Sequence, residues 1–96
     1  MEGHAVISAD ILARYAADAT LEVPGVRALV SSQLPRHKGV RVLDDGKRVE
    51  LHIAVAWGVD INAVGLEVET RVREYLTSMA NSDDTQVDVV VDEVTQ

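Results

Sequence analysis

Cysteine is absent from the 96 residues, phenylalanine is absent too, and proline occurs only twice. Without cysteine there can be no disulfide and no thiolate metal site. A short chain lacking either staple reads as intracellular rather than secreted. No basic stretch leading into an apolar one marks the first residues, so no signal peptide is read there. Uninterrupted apolar runs last only a few residues, far short of the roughly 20 that a membrane-crossing helix needs. The expected location is therefore cytoplasmic, and any approach to a membrane is peripheral, through a partner. Glycine and proline are also too scarce for a disordered or collagen-like chain.

The sequence is rich in small and β-branched aliphatic residues. Hydrophobic residues make up 47% of the chain and aromatics only 3%. The β-branched residues favour strands, and the alanine and leucine stretches favour helices, so a mixed α+β domain spanning residues 1–96 is expected. The net charge of −7 argues against simple nucleic-acid binding, where neutralising phosphates supplies most of the affinity. Its distribution is uneven. Residues 27–48 hold Arg27, Arg36, Lys38, Arg41, Lys47 and Arg48 against Asp44 and Asp45, a local +4. The last sixteen residues hold Asp83, Asp84, Asp88, Asp92 and Glu93 with no base, a local −5. Such a chain can attach head-to-tail to its own copies, or offer each region to a different partner.

Periodicity gives the order of elements. His4 to Ile7 is a short apolar start that reads as a strand. Ser8 is placed to cap a helix whose apolar positions are Ile11, Leu12, Tyr15, Ala16, Ala19 and Val23, ending at Pro24-Gly25. Ala28-Leu29-Val30 is a brief strand candidate, and Ser31 to Gly39 reads as a loop. Val40–Leu43 and Arg48–Trp57 alternate like half-buried strands around Asp44-Asp45-Gly46-Lys47. Asp-Gly suits a tight turn with both residues at positive φ, and the resulting register pairs Val40 with Leu51, Arg41 with Glu50, Val42 with Val49 and Leu43 with Arg48. Val49, Leu51, Ile53, Val55 and Trp57 then share the buried face. The opposite face carries Glu50, His52, Ala54 and Ala56, joined by Val90 and Val94. Asp60 caps a second helix with the stripe Ile61, Val64, Gly65, Val68, Val72, Tyr75, Leu76, Met79, stopping at Asn81-Ser82-Asp83-Asp84. Thr85, Val87, Val89 and Val91 alternate as a last strand. The order β-α-(β)-β-β-α-β predicts a two-layer sandwich, with two helices packed on one face of a small mixed β-sheet.

Signs of chemistry are few. The sequence has no G-x-S-x-G, no phosphate-cradling glycine pattern and no cysteine nucleophile. His4, His37 and His52 lack the spacing of metal ligands. Asp44-Asp45 and Asp83-Asp84 fall where turns need them. No catalytic residue, cofactor or metal is therefore expected. The candidate partner-binding residues are the basic loop Arg36, His37, Lys38, continuing to Arg41, and Trp57 beside Gly58. For Trp57 the periodicity favours a core position over an interface anchor. An RNA-binding or regulatory module using Arg36–Arg41 is the alternative, although Trp57, Tyr15 and Tyr75, the only aromatics for stacking, all fall on faces read as buried.

Several blocks in order resemble the alkaline-shock (general-stress) protein family of bacteria. These are Ile7-Ser8 leading into the first helix, Glu22-Val23-Pro24-Gly25-Val26, the valine-rich strand ending in Trp57-Gly58, Val59-Asp60-Ile61-Asn62-Ala63-Val64, the helix carrying Val68, Val72 and Leu76, and the closing Val87, Val89, Val91. The resemblance spans nearly the whole chain. It departs at Trp57, where the family often has Tyr, and at Asn81-Ser82-Asp83-Asp84, where a Thr-Gly turn is common. It implies a small α+β domain without catalytic activity, linked to cell-envelope homeostasis or stress response. Its implied partners are other proteins: copies of itself in a homo-oligomer, or an integral-membrane anchor protein.

Overall fold

Six elements make up residues 8–30, 39–80 and 84–96, the parts described by the structure, a computed structural model. The first is α1, Ala9–Leu21. Ser8 adopts the extended conformation of an N-cap and its Oγ accepts the Ile11 N–H at 3.2 Å, one of the amides the first turn leaves unpaired. The helix buries Leu12, Ala13, Ala16, Ala19 and Thr20, and Val23 follows them into the core. Thr20 is tolerated there because its hydroxyl donates to the Ala16 carbonyl at 2.7 Å. Ile11, expected on the buried stripe, is 44% exposed, because it precedes Leu12 by a 100° step and falls outside the Leu12–Ala16–Ala19 arc.

The sheet contains β1 (Val26–Leu29), β2 (Val40–Leu43), β3 (Arg48–Ala56) and β4 (Gln86–Thr95). The long central strand is β3. On one side it carries β2 antiparallel along its first half and β1 antiparallel along its second half. On the other side β4 runs parallel to it from Arg48↔Gln86 to Ala56↔Thr95. The sheet is thus mixed, as the sequence predicts, and α2 (Ile61–Ala80) supplies the crossover that a parallel pair requires. β1 and β2 meet at His52, whose carbonyl accepts the Val30 N–H and whose own N–H donates to the Gly39 carbonyl, both at 2.8 Å. Gly39 must be glycine at this junction. Its φ is +76°, and a Cβ would come within 2.8 Å of the Leu29 Cβ.

The β2–β3 register matches the expected one at all four pairs. Asp45 and Gly46 both take positive φ, and the Lys47 N–H donates to the Asp44 carbonyl at 3.1 Å. Asp44 also sits at φ 53°, so one residue more than a two-residue loop requires enters the left-handed region. β1 begins at Val26, two residues earlier than the expected Ala28. The strand expected at His4–Ile7, the loop at 31–38 and the helix stop at 81–83 lie outside the described residues.

At the start of α2 the Asp60 carboxylate accepts the Ala63 N–H at 3.1 Å as a cap. Val64, Val68, Val72 and Leu76 are buried in one cluster with Leu12, Ala16 and Ala19 of α1 and Val49, Leu51, Ile53 and Val55 of β3. Fully burying each valine or leucine side chain is worth about 1.5–3 kcal/mol. Tyr15 and Tyr75 lean together at 5.9 Å between ring centres, half-buried at the margin of this core. The ends of the expected stripe do not reach the core: Ile61 is 42% and Met79 53% exposed. Gly65 also departs from expectation. A Cβ there would meet nothing within 4 Å, so no close helix contact explains a residue that destabilises a helix interior by about 1 kcal/mol relative to alanine.

Candidate interaction surface

Alternation on β3 sends Val49, Leu51, Ile53 and Val55 under the helices and Arg48, Glu50, His52, Ala54 and Ala56 to the other face. That face has a charge ladder built by register. Arg41 of β2 stands opposite Glu50, with Nη1 3.4 Å from Oε1. The same Glu50 oxygen is 2.9 Å from His52 Nε2, and His52 Nδ1 is 2.9 Å from Asp92 Oδ2 on β4. Beside this row, Arg48 Nε donates to Asp88 Oδ2 at 2.7 Å, and the Gln86 side-chain amide donates to Asp88 Oδ1 at 3.3 Å. The parallel register sets Glu50 directly against Asp88, and each carboxylate is neutralised by its own cation.

Asp92 reaches His52 because β4 carries one extra residue there. Ile53 pairs with Val91 but Ala54 pairs with Glu93, which leaves Asp92 as a bulge. Beyond the bulge the alternation of β4 is inverted. Val94 therefore pairs with Val55 on the helix-side column, and only Val90 of the two valines expected on the open face stands opposite His52.

Electrostatics follow the contacts. The Glu50 hydrogen bond, with Asp92 adding to it, raises the His52 pKa above the ordinary value of 6.5. The hydrogen bond to His52 lowers Glu50, and that to Arg48 lowers Asp88. Both ring nitrogens of His52 face carboxylate oxygens, which only the doubly protonated imidazolium satisfies. Neither nitrogen is left free for a substrate. The two carboxylates also meet different ring nitrogens and do not converge on one ion. Among the described residues no group of three or more His, Asp or Glu side chains is placed to hold a metal.

Of the residues singled out from sequence, Arg41 and Trp57 are described, while Arg36, His37 and Lys38 lie outside the described residues. Arg41 is exposed on β2. Trp57 is 67% exposed, which corrects its expected place in the core. The strand ends at Ala56; Gly58 turns the chain at φ +90°, and Val59 packs against the core in place of the indole. The backbone at Trp57 is nevertheless fixed, since its N–H donates to the Thr95 carbonyl at 2.7 Å. Trp57 stands seven positions beyond Glu50, the partner of Arg41, which is about 23 Å along a strand, so the two are not one cluster. Sequence reasoning missed Asp92 as a functional neighbour of His52. The only signal for it was the break in alternation at Val90-Val91-Asp92-Glu93.

Fold and surface together define a two-layer α+β domain with one sheet face covered by helices and the other bare and laddered with charge. Within that class, the chain belongs to the alkaline-shock protein family, described as having a cell envelope-related function, whose model matches residues 1–96. It is the family that the sequence blocks resemble. No curated relative matches the sequence. In fold the chain is similar to solved structures of the MamM C-terminal domain. Two single histidine-to-alanine variants of that domain align with TM-score 0.58 and 15% identity, covering 90% of this chain and 98% of theirs. A variant recorded in a nickel form aligns with TM-score 0.55 and 15% identity, covering 85% of this chain and 94% of its own. At that identity the likeness is one of fold. No described helix is long and apolar enough to cross a membrane.

Proposed function

We propose that this chain is a non-enzymatic protein-interaction domain serving the cell envelope, which self-associates or is recruited by a membrane-anchored partner and so works in the cytoplasm, peripheral to the membrane. The observation that carries this reading is the exposure of Trp57: the only tryptophan, 67% accessible, is held by a fixed backbone at the end of the central strand. Tryptophan is strongly enriched among binding hot spots, because on a rigid element it offers a large contact area at low conformational cost. The family's envelope-related description supports the setting. The basic stretch Arg36, His37, Lys38 and Arg41 is assigned as a second, charged contact that steers the encounter.

The test is recovery of partners by the tagged chain and by the triple charge reversal Arg36→Glu, Lys38→Glu, Arg41→Glu. Weakened recovery by the folded triple variant supports the assignment. Unchanged recovery removes the basic stretch from it. RNA that is retained in a salt-dependent manner and lost on nuclease treatment replaces the protein partner with a nucleic acid.

A further inference from the structure

We infer that the open edge of β4, with the groove that α2 holds over it, docks an extended strand of a partner protein that alternates apolar side chains with lysine or arginine. This rests on the reading of the chain as an interaction domain, and it names one surface and the chemistry of its occupant.

Three observations converge on that edge. β4 pairs with β3 on one side from Gln86 to Thr95, and no other described strand lies on its far side. An edge of this kind presents a row of backbone N–H and C=O groups ready to receive another strand. Next to it lies a groove of about 380 Å³, roofed by Ile61, Gly65 and Leu66 of α2 and walled by Val87, Val89 and Val91. Its apolar roof is bare, with Ile61 42% and Leu66 63% exposed. Gly65 is the third observation. Nothing inside the fold requires a glycine there, since an added Cβ meets no atom within 4 Å, yet any larger side chain would grow into open space at the groove.

The charge of the edge selects the occupant. β4 carries Asp88, Asp92 and Glu93 and no base, so two such edges repel and pairing with the same strand of a second copy is disfavoured. A strand laid antiparallel along β4 keeps the period of two. Its inward residues enter the groove beside Val87, Val89 and Val91, and these positions demand apolar side chains. Its outward residues come alongside Asp88 and Asp92 on the open face, and Glu69 stands at the groove mouth, so those positions favour cations.

The proposal is tested by titrating the isotope-labelled full chain with a nine-residue synthetic peptide alternating valine with lysine and arginine. A control peptide has the same composition in two blocks. Expected are shifts and exchange protection of the β4 amides with the alternating peptide, at least tenfold weaker binding of the block peptide, and at least tenfold weaker binding to Gly65→Leu. That variant folds, because leucine is the better helix former and its Cβ is unobstructed. Equal binding by Gly65→Leu, equal binding of the block peptide, or β4 protection that grows with the chain's own concentration and excludes the peptide would each overturn it. Trp57→Ala is expected to bind the peptide normally. Failure here therefore leaves the reading built on Trp57 standing, and failure of that reading leaves the groove intact.

Discussion

His52 Nδ1 and Asp92 Oδ2 lie 2.9 Å apart across the parallel β3–β4 pair, forty residues apart in sequence, because β4 slips by one residue at that point. The contact ties the bulge to the centre of the sheet and continues through Glu50 to Arg41. It couples the protonation of one imidazole to the stability of the fold.

The sign of that coupling is fixed by the direction of each shift. His52 has its folded pKa raised above 6.5, so its contribution is fully present below 6.5 and is lost as pH rises through the folded value. Glu50 and Asp88 have theirs lowered from 4.5 and 3.8, so their contributions are present above those values and are lost as pH falls through the folded ones. Urea unfolding should show greatest stability between about pH 5 and 6.5 and a decline on the alkaline side. His52→Gln should flatten the alkaline decline at a loss of about 1 kcal/mol at pH 6. A variant that keeps the wild-type alkaline slope would remove His52 as its cause.

Glycine positions separate two kinds of strain. Gly39→Ala meets both positive φ and a Cβ clash at 2.8 Å where β1 and β2 join, and should destabilise by about 2 kcal/mol or more. Gly58→Ala meets positive φ alone, with open space around the new methyl, and should lose about 1 kcal/mol. Equal midpoints for the two in denaturant unfolding would contradict the packing at the β1–β2 junction.

Leu76 is wholly buried in the cluster shared by α1, α2 and β3. Leu76→Ala should lose about 2–5 kcal/mol, whereas Leu66→Ala on the same helix, 63% exposed, should change stability by less than about 0.5 kcal/mol. Thermal unfolding of the pair measures the difference.

Much of this fold was legible in the sequence for local reasons. Asp45-Gly46 dictates a turn through the φ its residues accept, and the turn fixes four strand pairs including Arg41–Glu50. The stripe Val64, Val68, Val72, Leu76 reads directly as a buried helix face. Long-range pairings were not legible. The one-residue slip at Asp92 depends on how β4 meets β3 after a twenty-residue helix, and alternation alone cannot place an extra residue. Trp57 was misread because period two was carried one residue past the end of its strand, where Gly58 redirects the chain and Val59 fills the core. Gly65 looked like a packing glycine on the stripe, but the structure puts open space beside it.

The most direct test of Trp57 as the partner anchor is capture of partners from the native cells by the full chain and by Trp57→Ala, with protein identification in membrane and soluble fractions. The indole is 67% exposed, so the variant should unfold within about 0.5 kcal/mol of the parent, which denaturant titration verifies first. The parent is predicted to recover itself or a membrane protein, and the variant to lose most of that recovery. The same proteins recovered in the same amounts by both chains would contradict an anchoring role for the indole.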